Sequence, residues 1–162
     1  MVVLLDKSGS MEGEKDIWAT AVALALLAVA HRQRRPFALL AFESIVRFEV
    51  VVEPGGDLPD EALFVGCGGG TDIGAAVGRG LDIIAERPGV MRKADVVLIT
   101  DGWSDADPAP VLRKRARDLG VTTLGASIAV GIEVLAPWCD QSIAIERLDT
   151  LDEKAADQLL AI

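Results

Sequence analysis

Five residues offer oxygen donors at positions that one fold can bring together. Asp6, Ser8 and Ser10 share the run Asp6-Lys-Ser8-Gly-Ser10, Thr71 follows Gly66-Cys-Gly-Gly-Gly70, and Asp101 follows Leu98-Ile-Thr. Carboxylate and hydroxyl oxygen, with nothing softer, selects a hard cation. Two carboxylates and three hydroxyls carry little charge for Ca²⁺, which prefers more oxygens and a looser cage. Mg²⁺ keeps several waters and needs few protein ligands. Mg²⁺ is therefore the expected ion, with Mn²⁺ or Ca²⁺ as substitutes. So small a ligand set also leaves a coordination position that a carboxylate from another molecule could fill.

The elements that must position these donors are legible as alternating runs. Val2 to Leu5 reads as a short aliphatic strand ending at Asp6, and Lys7 to Ser10 as a turn. A long helix is expected from Glu14 to Gln33, closed by Pro36. Phe37–Phe42 and Ile45–Val52 read as a hairpin around Glu43-Ser44. The second of these alternates, with Arg47 and Glu49 between apolar residues, so it is expected as an antiparallel edge strand with one wet face. A short helical turn is expected over 60–64. Thr71 is placed to cap a helix running to about Arg87, and Val96–Thr100 is a buried strand ending at Asp101. Asp107-Pro108 predicts the next helix start and Gly120 its end. A strand over Val121–Ile128, a short helix over Ile132–Trp138 and a strand over Ser142–Ile145 follow. Thr150-Leu-Asp-Glu153 has the capping-box spacing of a terminal helix.

Strands alternating with helices predict an α/β fold: a doubly wound, Rossmann-like three-layer sandwich. Its sheet is expected to be mostly parallel, in the order 3-2-1-4-5-6, with one antiparallel edge. Ligands of such sheets bind beyond the carboxyl ends of the strands, where the strand order reverses. Asp6 and Asp101 end two strands there, and Thr71 opens a helix at the same edge. Donors 65 and 95 positions from Asp6 can thus converge on one spot.

Bulk properties narrow the function further. The 162 residues fit one domain, 1–162, and 51% are apolar but only 4% aromatic, which suits an aliphatic core around a parallel sheet. The net charge of −9 argues against nucleic acid and anionic membranes, whose binding rests on Lys and Arg. The apolar run 21–30 is too short to span a bilayer, which takes about 20 residues. Met1 to Asp6 supplies no secretory n-region, and beginning inside a strand fits a domain excised from a longer protein. Cys67 and Cys139 form no CxxC, and read as reduced thiols of a cytoplasmic protein.

Three segments carry a resemblance. Asp6-Lys-Ser8-Gly-Ser10, Gly69-Gly-Thr71-Asp72 and Leu98-Ile-Thr-Asp101-Gly102 are similar to the three-part metal-ion-dependent adhesion site (MIDAS) of von Willebrand factor A (vWA) domains. The resemblance covers essentially the whole chain. It implies that Ser8, Ser10 and Thr71 ligate the metal directly, that Asp6 and Asp101 act largely through bound waters, and that a protein partner supplies an Asp or Glu. Gly68 to Asp72 and the hairpin around Phe42-Glu-Ser44 look most like bacterial vWA proteins that work with MoxR-type AAA+ ATPases. The function so implied is Mg²⁺-dependent protein binding, as adaptor or substrate recruiter of such an ATPase system, toward the ATPase or its client, and not catalysis.

Other readings stay open. A haloacid-dehalogenase-like Mg²⁺ phosphohydrolase also opens on a strand-end Asp, but its acid two positions on is here Ser8, leaving a leaving group unprotonated. A vWA scaffold could instead bind partners through another face, without metal. Trp103, on the loop after Asp101, and Met11, after the serines, are candidate partner contacts. The basic run 113–117 reads as a wet helix face or a second contact surface, and His31 to Arg35 as a solvated helix end.

Overall fold

The computed structural model describes residues 1–91 and 94–145. Its centre is a six-stranded sheet: β1 (Val2–Asp6), β2 (Phe37–Phe42), β3 (Val46–Val52), β4 (Asp95–Thr100), β5 (Thr122–Ile128) and β6 (Gln141–Ile145). The strands run in the order β3-β2-β1-β4-β5-β6, and only the β2–β3 pair is antiparallel. Fold class, order and the antiparallel edge agree with the expectation from sequence. β1 is central, with Leu4 facing Leu40 of β2 on one side and Leu98 of β4 on the other.

The period-2 pleat sends alternate aliphatic residues to opposite faces. Val2, Leu4, Leu40, Val96 and Leu98 pack under α2 (Ile73–Glu86) and α3 (Ala109–Asp118). Val3, Leu5, Leu39, Val97 and Ile99 pack on the other face under α1 (Glu14–Arg32). In α1 the buried Ala19, Val22, Ala23, Leu26, Leu27 and Ala30 recur at helical spacing. In β5, Gly125 admits close packing: a Cβ there would meet both Cys139 Sγ and Leu135 Cδ1 at 2.8 Å.

Several element ends differ from expectation. The N-cap of α2 is Asp72 rather than Thr71; its carboxylate accepts the Ala75 N–H at 2.8 Å. Adjacent Thr and Asp are both good caps, and the carboxylate carries the charge that a helix N-terminus favours. Asp107 does not cap α3, which starts at Ala109 after Pro108. At the other end Gly120, at φ +68°, donates to Arg117 O while Val121 donates to Ala116 O, the paired bonds of a Schellman stop. The helix expected over Ile132–Trp138 is a 3-10 turn at Ile132–Val134 followed by turns. The helix expected from Thr150 lies outside the described residues. Among the described residues, no helix is long and apolar enough to cross a membrane.

Candidate metal centre

β1 and β4 are neighbouring parallel strands, so Asp6 and the residue after Thr100 emerge side by side at the carboxyl edge of the sheet. Asp6 is fully buried. One of its oxygens accepts the Ser8 N–H at 2.7 Å, which folds the loop back on its own strand. The other accepts the Thr100 hydroxyl, tying β1 to β4. Thr100 Oγ1 in turn accepts the Gly102 N–H at 2.9 Å. Burial pushes the Asp6 carboxyl above its ordinary pKa; bonds from Thr100 and Ser8 oppose this, and the charge of Asp101 adds to it.

The hydroxyls continue the chain of contacts. Ser8 Oγ lies 3.2 Å from Ser10 Oγ, and Ser10 donates to Asp101 Oδ1 at 2.7 Å. Thr71 arrives from the third loop. A Cβ on Gly102 would sit 3.1 Å from Thr71 Oγ1 and 3.5 Å from Asp6 Oδ2, so Gly102 is the spacer that lets these two donors approach. All five sequence-selected donors are therefore brought to one place. Among the described residues no group of three or more His, Cys, Asp or Glu could hold a metal, so any cation here relies on hydroxyls. The donor set fits a small hard dication: oxygen only, with two carboxylates, the Ser10 hydroxyl bonded to one of them and the Ser8 hydroxyl beside it.

The loops are held from below. The Lys7 N–H bonds Phe42 O at 2.7 Å, and Lys7 O accepts the Gly68 N–H at 2.8 Å. The Lys7 side chain is fully buried, and its ammonium bonds Asp16 at 2.6 Å in the first turn of α1. The hairpin turn grips the glycine loop: Ser44 Oγ accepts the Gly70 N–H at 3.0 Å and Glu43 O the Asp72 N–H at 2.8 Å. Gly69, at φ +70°, holds a backbone conformation that other residues rarely adopt, and a Cβ there would also have to displace the Glu43 carboxylate, 1.9 Å away at Oε2. Ser104 Oγ accepts the Ile73 N–H at 3.1 Å, fixing the Asp101 loop to the start of α2.

Trp103 is 71% exposed on that loop. Met11, expected as a contact, is instead fully buried: the 3-10 turn at Gly9–Met11 folds its apolar side chain under the loop into the core beneath α1. It presents no surface to a partner. Sequence reasoning missed Thr100 and Lys15, whose ammonium pairs with Asp101 Oδ2. A signal for Lys15 existed, since a cation in a helix's first turn opposes the macrodipole.

The remaining candidates have partners within the chain. In the basic run, Arg113 bonds Asp140, Lys114 bonds Asp118 and Arg115 pairs with Asp82. The His31 ring lies 2.7 Å from Gly56 O, so it ties the helix end to a loop rather than standing in solvent. Both cysteines are free, and burial pushes their thiols up to about 11 at Cys67 and about 12 at Cys139, away from nucleophilic use at neutral pH.

A mostly parallel sheet with α1 on one face and α2 and α3 on the other, and with oxygen donors gathered at its carboxyl edge, defines a Rossmann-like three-layer domain. The chain belongs to the von Willebrand factor type A domain family, whose family model matches residues 1–104, the stretch that bears all five donors. It is 37% identical over 110 residues to the uncharacterized protein MJ0811 of Methanocaldococcus jannaschii, covering 66% of this chain and 25% of that one. It is 33% identical over 103 residues to MJ0077 of the same organism, covering 62% and 25%. The chain thus spans about a quarter of the length of these curated relatives. Among solved structures, BatB from Bacteroides thetaiotaomicron superposes with a TM-score of 0.74 at 14% identity, covering 99% of this chain and 96% of that one. The SpRpn10 VWA domain gives 0.74 at 12%, covering 97% and 93%. At these identities the likeness is one of fold. Domains of the vWA family are common protein-interaction modules and are typically not enzymes.

Proposed function

We propose that this domain is a Mg²⁺-dependent protein-binding module with a MIDAS-type site, belonging to a longer protein. The observation that carries the reading is the convergence of Asp6, Ser8, Ser10, Thr71 and Asp101 from three loops onto one spot. Ser8, Ser10 and Thr71 would supply hydroxyl oxygens to the ion, and Asp6 and Asp101 its balancing charge. When bound, Mg²⁺ supplies a Lewis-acidic position for an Asp or Glu carboxylate of the partner. Trp103, exposed on the same loop as Asp101, is the apolar contact beside it.

The function fitting these features is that of adaptor or substrate recruiter for a MoxR-type AAA+ ATPase, in the cytoplasm. Two free thiols are in keeping with that compartment. The phosphohydrolase reading is disfavoured by Ser8, whose hydroxyl lies against Ser10 where an acid would be needed.

Capture of a carboxylate-bearing partner, such as the cognate ATPase, is measured with and without EDTA for wild type and Asp6→Ala. Loss of capture in EDTA and in the variant is expected. Equal capture in every condition would leave the vWA scaffold binding through another face. Phosphate-ester turnover that vanishes in Asp6→Asn would point to an enzyme instead.

A further inference from the structure

The buried acid at this site already has a cationic partner from the protein itself. Asp101, its side chain only 1% exposed, offers one oxygen to the Ser10 hydroxyl and the other to the Lys15 ammonium. Both oxygens are committed, so a dication drawing on this carboxylate competes with Lys15 directly. Lys15 is 34% exposed and can withdraw into water, whereas Asp101 has nowhere to go.

The position of Lys15 argues that this contact is its purpose. It is the second residue of α1, in a first turn whose other charges, Glu14 and Asp16, are the anions that a helix N-terminus favours. A lysine there opposes the macrodipole and needs a compensating partner. The contrast with Lys7 sharpens the point. Lys7 is wholly buried on Asp16 beneath the loop and cannot leave, so it is a fixed strut.

We infer that Lys15 is the site's exchangeable counter-ion: it neutralises Asp101 when no dication is bound and is displaced when one binds. This rests on the metal-binding reading above. Lys15 reduces the charge facing an incoming ion from two negatives to one, which weakens the site for dications. It also removes the penalty of an unpaired buried carboxylate, so the domain stays folded without metal. On loading, the freed ammonium remains at the rim of the site.

The test uses the purified chain as wild type, Lys15→Met and Lys15→Gln, the glutamine guarding against a packing defect in the methionine variant. Mg²⁺ and Mn²⁺ affinities are read by titration calorimetry, and thermal unfolding is followed in EDTA and in saturating Mg²⁺. Both variants are expected to bind the ion roughly tenfold or more tightly than wild type. In EDTA both should melt below wild type, and saturating Mg²⁺ should close that gap. Measurable but equal affinity in all three proteins overturns the exchange and leaves the metal site standing. No binding in any of them removes the metal reading and this inference together. Variants that stay unfolded in saturating Mg²⁺ give Lys15 a structural role that no ion replaces, which also overturns it.

Discussion

Two carboxylates at opposite edges of the sheet, Asp140 and Asp6, are held in opposite ways. At the amino edge, Asp140 accepts the Thr123 N–H at 3.0 Å, the Thr123 hydroxyl at 2.8 Å and Arg113 at 2.8 Å. Burial works against its charge, but these bonds outweigh it and hold the carboxyl below its ordinary value. At the carboxyl edge, Asp6 accepts the Ser8 N–H and the Thr100 hydroxyl and, among the described residues, has no cation bonded to it; burial wins, holding it above its ordinary value. One carboxylate is stabilised by its surroundings; the other is kept in place against them. A charge held at a cost is one whose removal should not destabilise the fold.

That contrast can be broken at either edge. The largest effect is expected at Asp140. Asp140→Ala should lower stability by about 1–2 kcal/mol in urea melts, after discounting for a side chain that is 35% exposed to water. Because its folded-state pKa lies below the ordinary 3.8, the contribution is present above that value and is lost as pH falls through the folded one. Wild type should therefore show a steeper acid limb of stability than Asp140→Asn, in which Glu43, also held below its ordinary value, still contributes.

Asp6→Asn in EDTA should be neutral or stabilising by up to about 1 kcal/mol, because the amide keeps an oxygen for Ser8 and sheds a buried charge. A loss as large as that of Asp140→Ala would erase the distinction between the edges. The smallest effect on folding belongs to Trp103→Ala, expected within about 0.5 kcal/mol of wild type because the ring is exposed. The same variant should weaken partner capture by tenfold or more in a binding assay, if the contact is one of the few that dominate an interface.

Much of this arrangement was legible in the sequence because strand ends are. A run such as Val96–Thr100 stops where the polar Asp101 begins, and the switch-point rule then says which strand ends meet. What escaped were features set by side-chain reach. Thr71 and Asp72 are both cap residues, and composition does not decide which one turns toward the helix. Met11 sits among polar loop residues, and only the tight 3-10 turn sends it inward. Lys15 is one charge among three in a first turn, and its pairing with an acid 86 residues away depends on the sheet order rather than on local pattern.

The backbone beneath Ser8 has a kinetic consequence. Lys7 is bonded to Phe42 through its N–H and to Gly68 through its carbonyl, so the ladder continues past the end of β1 into the loop itself. Moving the start of this loop means breaking both of those bonds. The Lys15 side chain needs only to part from Asp101, after which an exposed side chain rotates in nanoseconds or faster. An ion arriving at this edge would wait on the swing of a lysine, not on the opening of a loop.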